Sequence, residues 1–72
     1  MEKVNKLIEK NGKGSGCLVG QDGNAFSLMG YTSRRLRLAG WKNNEIELVM
    51  KEAMSGDYNN LIRVLASTLE GE

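Results

Sequence analysis

The sequence has few of the residues that stabilise or activate small proteins. It contains no histidine, no proline and a single cysteine, Cys17. One cysteine cannot form an internal disulfide, and without histidine the usual zinc sites lack ligands. A histidine base for a Ser, Cys or Thr nucleophile is missing as well, so we expect no enzyme and no metal or other cofactor. The absence of proline is typical of a mostly helical chain.

Long apolar runs are absent too. No stretch approaches the roughly 20 apolar residues that span a membrane. Lys and Glu interrupt the first apolar residues, Val4, Leu7 and Ile8, which is unlike the core of a signal peptide. A single unpaired cysteine suits a reducing compartment. We therefore expect no membrane partner and a cytoplasmic location.

The chain has 72 residues, the size of one small domain. Such a domain buries only about 60% of the surface of its unfolded chain, so its stability is marginal. With neither a disulfide nor a metal site in the sequence, self-association is the remaining common way to bury more area. We therefore expect a homo-oligomer.

Apolar spacing divides the chain into two parts. Residues 1–16 are predicted to form a short helix over 2–11 and a flexible glycine-rich link (GKGSG, 12–16). The link leaves this helix free to dock on its own core or on a neighbouring molecule. Residues 17–72 are predicted to form a helical domain, although the apolar run at 17–19 is too short to distinguish a strand from a tether. The predicted fold class is all-α: a compact three-helix bundle plus the N-terminal helix.

The second helix is predicted from about Gly23 to Ala39. Asp22 is its expected N-cap, because a carboxylate accepts hydrogen bonds from the unpaired N–H groups of a first turn. Gly40 fits the left-handed position after the helix, with Trp41 as the accompanying apolar contact. The expected buried face consists of Ala25, Leu28, Met29, Thr32, Leu36 and Ala39.

Two further helices follow in the acidic half of the chain. The third is predicted to begin after Asn43 or Asn44, both good N-caps, and to end at Gly56. Asp57 is the expected N-cap of the fourth helix. The predicted apolar positions of the two helices are Ile46, Val49, Met50 and Ala53, and then Tyr58, Leu61, Ile62, Leu65 and Leu69.

Two glycine–aspartate segments are the best candidates for a binding surface. They are residues 20–26 (GQDGNAF) and 55–58 (SGDY), and each opens a predicted helix. Helix starts carry unpaired N–H groups and a partial positive charge, so they suit anions or tight loop contacts. Asp22 competes with an anion at the first of them. Either Asp22 only caps the helix, or it binds a ligand hydroxyl or amine while arginines hold phosphate.

The basic residues are concentrated in the first part of the chain. Residues 1–42 carry eight Lys/Arg against three Asp/Glu, a formal charge of +5, and residues 43–72 carry two against six, a charge of −4. Helical spacing places Ser27, Gly30, Arg34 and Arg37 along one side of the second helix, with Arg35 pointing elsewhere. Arginine forks bind phosphate well, and Tyr31 can stack on a base at the edge of this face. The candidate ligand-binding residues are Asp22, Gly23, Asn24, Ser27, Tyr31, Arg34, Arg37, Ser55, Asp57 and Tyr58.

Residues 18–69 resemble a set of small proteins from phages, prophages and plasmids. The shared features are the segment at 18–26 (LVGQDGNAF), an Arg35-x-x-x-Ala39-Gly40 pattern, and the segment at 55–61 (SGDYNNL). The resemblance implies an accessory protein of a mobile element that acts in a bacterial host cell. Proteins of this kind work by binding: they block a host protein or sequester a small molecule.

A shorter resemblance covers residues 28–31 (LMGY) and 43–45 (NNE), which are similar to the Met-Gly loop and the downstream segment of ubiquitin-associated domains. In that family the Met-Gly pair lies in a loop between two helices. Here helical periodicity runs through it from 25 to 39, which favours a continuous helix.

Three functions follow from these patterns. The first is a non-enzymatic phage protein that inhibits host defence by sequestering a phosphorylated nucleotide signal. The second is an inhibitor that binds a host protein through aromatic residues and arginine; its candidate anchors are Phe26, Tyr31, Trp41 and Tyr58. Core packing is the alternative role of these aromatic residues. The third function is nucleic-acid binding through the basic helix.

Overall fold

The structure, a computed structural model, describes residues 1–71, so the last residue of the predicted second part lies outside the described residues. Helices account for 63% of it, which confirms a mostly helical chain. The Cα radius of gyration is 10.7 Å, close to the roughly 11 Å expected of a compact chain of this length. The elements are α1 (Glu2–Asn11), β1 (Gly14–Ser15), α2 (Ala25–Leu38), α3 (Asn43–Ala53), α4 (Tyr58–Ser67) and β2 (Leu69–Glu70).

The two strands are a feature that the sequence patterns did not indicate. β1 pairs with β2 in parallel, with Gly14 opposite Leu69 and Ser15 opposite Glu70. The Gly14 N–H donates to the Thr68 carbonyl at 2.8 Å. Pairs this short carry no alternation of apolar and polar residues, so periodicity gives no signal for them.

The glycine-rich segment is packed, where the sequence predicted a flexible link. Gly14 is buried, and a Cβ atom there would lie 3.1 Å from Leu36 Cδ2 and 3.2 Å from the Arg35 carbonyl oxygen. The Arg35 Nε donates to the carbonyl of Ser15. Glycine is therefore needed at position 14 because the strand backbone lies directly against α2.

α1 docks on its own core, one of the two positions that the sequence left open. Its Val4 is 1% exposed and belongs to the central apolar cluster. The indole Nε1 of Trp41 donates to the Gly12 carbonyl at 3.0 Å, which fixes the end of α1. Trp41 itself is buried, so it serves the core.

The start of α2 differs from the prediction. Asn24, in extended conformation, is the N-cap: its Oδ1 accepts from the N–H groups of Phe26 at 2.8 Å and Ser27 at 3.3 Å. Asp22 instead accepts from the Asn24 N–H at 3.1 Å, forming a turn that precedes the helix. Both side chains are good caps by chemistry, and the one adjacent to the first helical residue has the reach to its N–H groups.

The end of α2 agrees with the prediction. Gly40 has a φ of 99°, and its N–H donates to the Arg37 carbonyl while the Trp41 N–H donates to the Leu36 carbonyl, both at 3.1 Å. These two bonds are the Schellman arrangement, which requires a left-handed residue at the position of Gly40.

The starts of the last two helices differ in how well they were predicted. α3 begins at Asn43 with Lys42 as its N-cap, so the expectation that Asn43 or Asn44 caps it is wrong. The reason is Glu45, whose Oε1 accepts the Lys42 N–H at 2.9 Å and so satisfies the N-terminal end of the helix. Asp57 caps α4 as predicted, accepting the Asn60 N–H at 2.9 Å.

The core follows most of the predicted apolar positions. Its buried members are Val4, Leu28, Leu36, Trp41, Ile46, Val49, Ala53, Leu61, Val64, Leu65 and Leu69. Three predicted positions differ: Ala39 is exposed at the end of α2, Tyr58 is exposed at the start of α4, and Leu69 is buried in β2. A helical stripe is blurred at helix ends, where the chain turns away from its packing partner.

Glu45 is a buried carboxylate, only 4% exposed, at the junction of α1 and α3. Its Oε2 accepts from Lys10 Nζ at 2.8 Å, and its Oε1 accepts from the Lys42 N–H and from Asn11 Nδ2 at 3.2 Å. The Lys10 hydrogen bond and then the Lys42 N–H lower the pKa of Glu45 from 4.5 to about 2, against the opposing effect of desolvation.

Thr32 offers a test of this core, because its side chain is fully buried and its hydroxyl has no hydrogen-bond partner within the described residues. Thr32→Val replaces that hydroxyl by a methyl group of similar shape, so we expect the free energy of unfolding in urea to rise by about 1 kcal/mol. Thr68→Val is the matched control: Thr68 Oγ1 donates to the Leu65 carbonyl at 2.7 Å, so this variant loses about 1 kcal/mol. An equal loss of unfolding free energy in both variants would contradict the conclusion that the Thr32 hydroxyl lacks a hydrogen-bond partner.

Glu45 makes the stability depend on pH. Because its folded pKa, about 2, lies below its usual value of 4.5, the unfolded chain binds this proton more readily. The stabilisation is fully present above pH 4.5 and is lost as the pH falls through about 2. We expect Glu45→Gln to be less stable than the wild type at neutral pH, and the difference to shrink across this window in denaturant titrations. Glu47→Gln, an exposed change on the same helix, measures the effect of net charge alone.

Candidate functional site

An open cleft of about 350 Å³ lies between the start of α2 and the turn that joins α3 to α4. We call it the aromatic cleft. Its lining is mostly carbon and comes from the ends of three helices. The lining residues are Ala25, Phe26, Met29, Ala53, Met54, Gly56, Asp57, Tyr58 and Leu61.

Hydrogen bonds hold the two glycine–aspartate segments together at this cleft. The Tyr58 hydroxyl donates to the Gly23 carbonyl at 2.5 Å and so connects the start of α4 to the loop before α2. On the other side, Asn60 Nδ2 donates to the Glu52 and Ala53 carbonyls at 3.1 and 3.3 Å. These are the last carbonyls of α3, which the N–H groups of the helix itself leave unpaired, and the Glu52 carbonyl also accepts from Ser55. The position of the cleft walls is therefore set by the caps of the helices that form it.

Large apolar side chains stand at the rim of the cleft. Phe26 is 80% exposed, Met54 is 59% exposed and Tyr58 is 49% exposed, whereas Leu61 below them is buried. Single exposed apolar residues are common, but three around one concavity are the kind of patch that marks a binding surface. Core packing, the alternative role of the aromatic residues, applies to Trp41 and not to Phe26.

The charges around the cleft are negative. Asp57 lines it, and Asp22 immediately precedes Gly23. Two helix starts meet here, each equivalent to about half a positive elementary charge. The two carboxylates carry a larger charge of opposite sign, and none of the lining residues is a Lys or Arg. A phosphate at the start of α2 would therefore meet unfavourable charge.

The predicted site residues fall into separate places. Gly23, Asp57 and Tyr58 meet at the aromatic cleft, with Asp22 and Asn24 beside Gly23. The other five lie elsewhere: Ser27, Arg34 and Arg37 on the outer face of α2, Tyr31 on the side of α2 that contacts Gly16 and Cys17, and Ser55 beside α1 and α3.

Tyr31 is part of the packing of the N-terminal segment. It is half-buried, and its hydroxyl accepts the Cys17 N–H at 3.1 Å. A Cβ atom at Gly16 would lie 3.2 Å from the ring Cζ, so the ring is in close contact with the strand that follows α1. Ser55 has a local role as well, since its Oγ donates to the Glu52 carbonyl at 2.6 Å.

The outer face of α2 forms a second surface, the arginine row, defined as Ser27, Gly30, Arg34 and Arg37. All four are exposed, as the helical spacing predicted, and Arg35 points away towards Ser15. Arg37 Nε donates to Asn43 Oδ1 at 3.4 Å. Within residues 1–71 neither Arg34 nor Arg37 forms an ion pair, so the charge of each guanidinium group is not balanced by a carboxylate there.

The sequence patterns missed most of the apolar part of the cleft: Met29, Met54 and Leu61 were not predicted as site residues, and Phe26 was named only as an anchor of the protein-binding alternative. Two of them carry a usable signal. Phe26 lies beside, and not on, the apolar stripe of α2, and Met54 follows the last position of the α3 stripe. A large apolar residue just off a buried stripe is exposed unless another element covers it, which makes it a candidate contact residue.

The described residues hold no cluster of three or more Cys, Asp or Glu side chains that suits a metal ion. None of the four helices combines the length and apolar character that crossing a membrane requires. Comparison of the chain with known protein families, curated proteins and solved structures finds no match.

Proposed function

We propose that this chain is a phage-type accessory protein without catalytic activity that counteracts host defence by binding a host protein in the aromatic cleft. The observation that carries the proposal is the exposure of Phe26, Met54 and Tyr58 around one concavity. Aromatic residues and methionine are enriched in the cores of protein interfaces, and a few such anchors supply most of the binding energy. The site of action is the cytoplasm of the bacterial host.

The apolar lining supports a protein ligand over a phosphate in the cleft. Ala25, Met29 and Leu61 offer no hydrogen-bond donors from their side chains, and Asp57 repels an anion. A side chain of a partner protein, in contrast, gains free energy by leaving water for such a surface, about 25 cal/mol per Å² of apolar area.

The rigidity of the cleft supports the same function. Its walls are held by the Tyr58–Gly23 hydrogen bond and by the capping of α2 and α4. A preformed site loses less conformational entropy on binding than a flexible loop does. α2, α3 and α4 each pack against the other two, which supports the three-helix bundle as the scaffold that carries the cleft.

Substitutions at the rim test this function. We expect Phe26→Ser and Met54→Ser to lower the affinity for the host target at least about tenfold, because interface anchors contribute more than 1 kcal/mol each. The target is isolated from host lysate with tagged wild-type protein, and its affinity for each variant is then measured by calorimetry with purified components. Leu38→Ser is the matched control, since Leu38 is 72% exposed at the other end of α2. Equal losses for Phe26→Ser and Leu38→Ser would contradict the proposal.

The arginine row favours a second function, sequestration of a phosphorylated nucleotide signal. The row presents two arginines that form no ion pair within residues 1–71, and Gly30 leaves open space between Ser27 and Arg34. In a homo-oligomer this basic face of one protomer would lie beside a helix start of the next and complete a shared pocket. A nucleic acid is the alternative ligand for the same row.

Calorimetry against cyclic and linear nucleotides tests this second function. We expect Arg34→Ala and Arg37→Ala each to weaken binding about tenfold, because each removes a charge-assisted hydrogen bond worth about 1.5–3 kcal/mol. Arg63→Ala on α4 is the control. Binding to DNA or RNA that falls steeply with salt would identify the nucleic-acid version. If neither a nucleotide nor DNA or RNA binds, both the nucleotide and the nucleic-acid function of the arginine row are excluded.

A further inference from the structure

We infer that the segment recognised by the aromatic cleft is basic: an apolar side chain that enters the cleft, flanked by Lys or Arg. This inference rests on the proposed protein-binding function and names the chemistry of the partner. It comes from the combination of an apolar floor with a carboxylate edge, and none of the residues that line the cleft is a Lys or Arg.

The floor selects an apolar anchor. Leu61 and Ala53 are 6% and 0% exposed and form the base, and Phe26 and Met54 stand above them at the rim. A volume of about 350 Å³ is at the small end of ligand pockets, which suits side chains of a short segment. The cleft therefore holds an aliphatic or aromatic side chain and leaves the neighbouring residues of the segment at the rim.

The rim then selects a positive charge. Asp57 lines the cleft. Its Oδ1 accepts the Asn60 N–H as the cap of α4, and the cap does not use its second carboxylate oxygen. The N–H groups that an anion would need at the start of α2 are already bound by Asn24. A flanking Lys or Arg meets the Asp57 carboxylate at the rim, with Asp22 in the loop that Tyr58 binds, without displacing any hydrogen bond of the fold.

Within residues 1–71 neither Asp22 nor Asp57 forms an ion pair with a cation of the chain. Arg34 is eight residues beyond Phe26, about 12 Å along α2. This is more than the screening length of about 8 Å at physiological ionic strength. Arg63 lies about 9 Å along α4 from Asp57, and its guanidinium donates to Asn60 Oδ1 at 2.7 Å.

The same charges disfavour a two-fold dimer of this chain that forms through the cleft. A two-fold interface uses the same patch on both subunits. It would bring Asp22 and Asp57 of one copy to the patch that holds Asp22 and Asp57 of the other, and like charges across an interface are unfavourable. A basic segment of a different protein has no such conflict.

Selection from a random-peptide library on the immobilised full chain tests the inference. We expect the enriched peptides to combine a large apolar residue with neighbouring Lys or Arg. In fluorescence anisotropy, Asp57→Asn should weaken their binding by about two- to fivefold, as for one exposed ion pair, and added salt should reduce that difference. Asparagine is as good an N-cap as aspartate, so the variant removes the charge and keeps the helix start. Glu47→Gln removes a charge on α3, away from the cleft, and should leave the affinity for these peptides unchanged.

Four results would overturn the inference. If Phe26→Ser weakens binding of the enriched peptides but Asp57→Asn leaves their affinity unchanged, the basic partner is contradicted and the protein-binding function is not. If Phe26→Ser leaves the affinity of the peptides unchanged, the protein-binding function of the cleft is contradicted as well. A library without enriched peptides, or a dimer in sedimentation that Phe26→Ser abolishes, would exclude the basic segment as the occupant.

Discussion

The Glu45 carboxylate is the interaction on which the packing of the N-terminal segment depends. It accepts the backbone N–H of Lys42 at the start of α3, and it binds Lys10 and Asn11 at the end of α1. A domain of this size has little core to spare, so α1 must contribute Val4 to the apolar cluster. The junction also stabilises α3, whose last turn carries the Met54 side of the aromatic cleft. The aromatic cleft is thus supported from the opposite end of the same helix.

Local chemistry made much of the helical part predictable. The Schellman end at Gly40 and the Asp57 cap each depend on one residue and its immediate neighbours. The start of α2 was less certain because Asp22 and Asn24 are both capable caps two residues apart, and only the backbone path decides between them. The pairing of Gly14 with Leu69 was beyond sequence reasoning, since two-residue strands at opposite ends of a chain have no periodicity to detect.

The structure brings together only part of the candidate site, and its role in binding stays a prediction. The two glycine–aspartate segments do meet, through Tyr58 and Gly23, as a binding surface built from two helix starts requires. Yet the surface that they form is apolar, because Phe26 and Met54 point out beside them. The sequence reasoning expected Asp22 to cap α2 and missed that Asn24 binds the N–H groups of Phe26 and Ser27 instead. Which of two caps is occupied, and what stands next to it, are properties of the tertiary structure.

The parallel contact between β1 and β2 has a consequence for the order in which the chain folds. About three quarters of the sequence separates Gly14 from Leu69, so closing that loop is among the most demanding steps in chain entropy. The helices form from near neighbours and have no such requirement. We therefore expect β1 and β2 to pair after the helical core has brought the two segments together. The strand pair then joins the two ends of the folded chain.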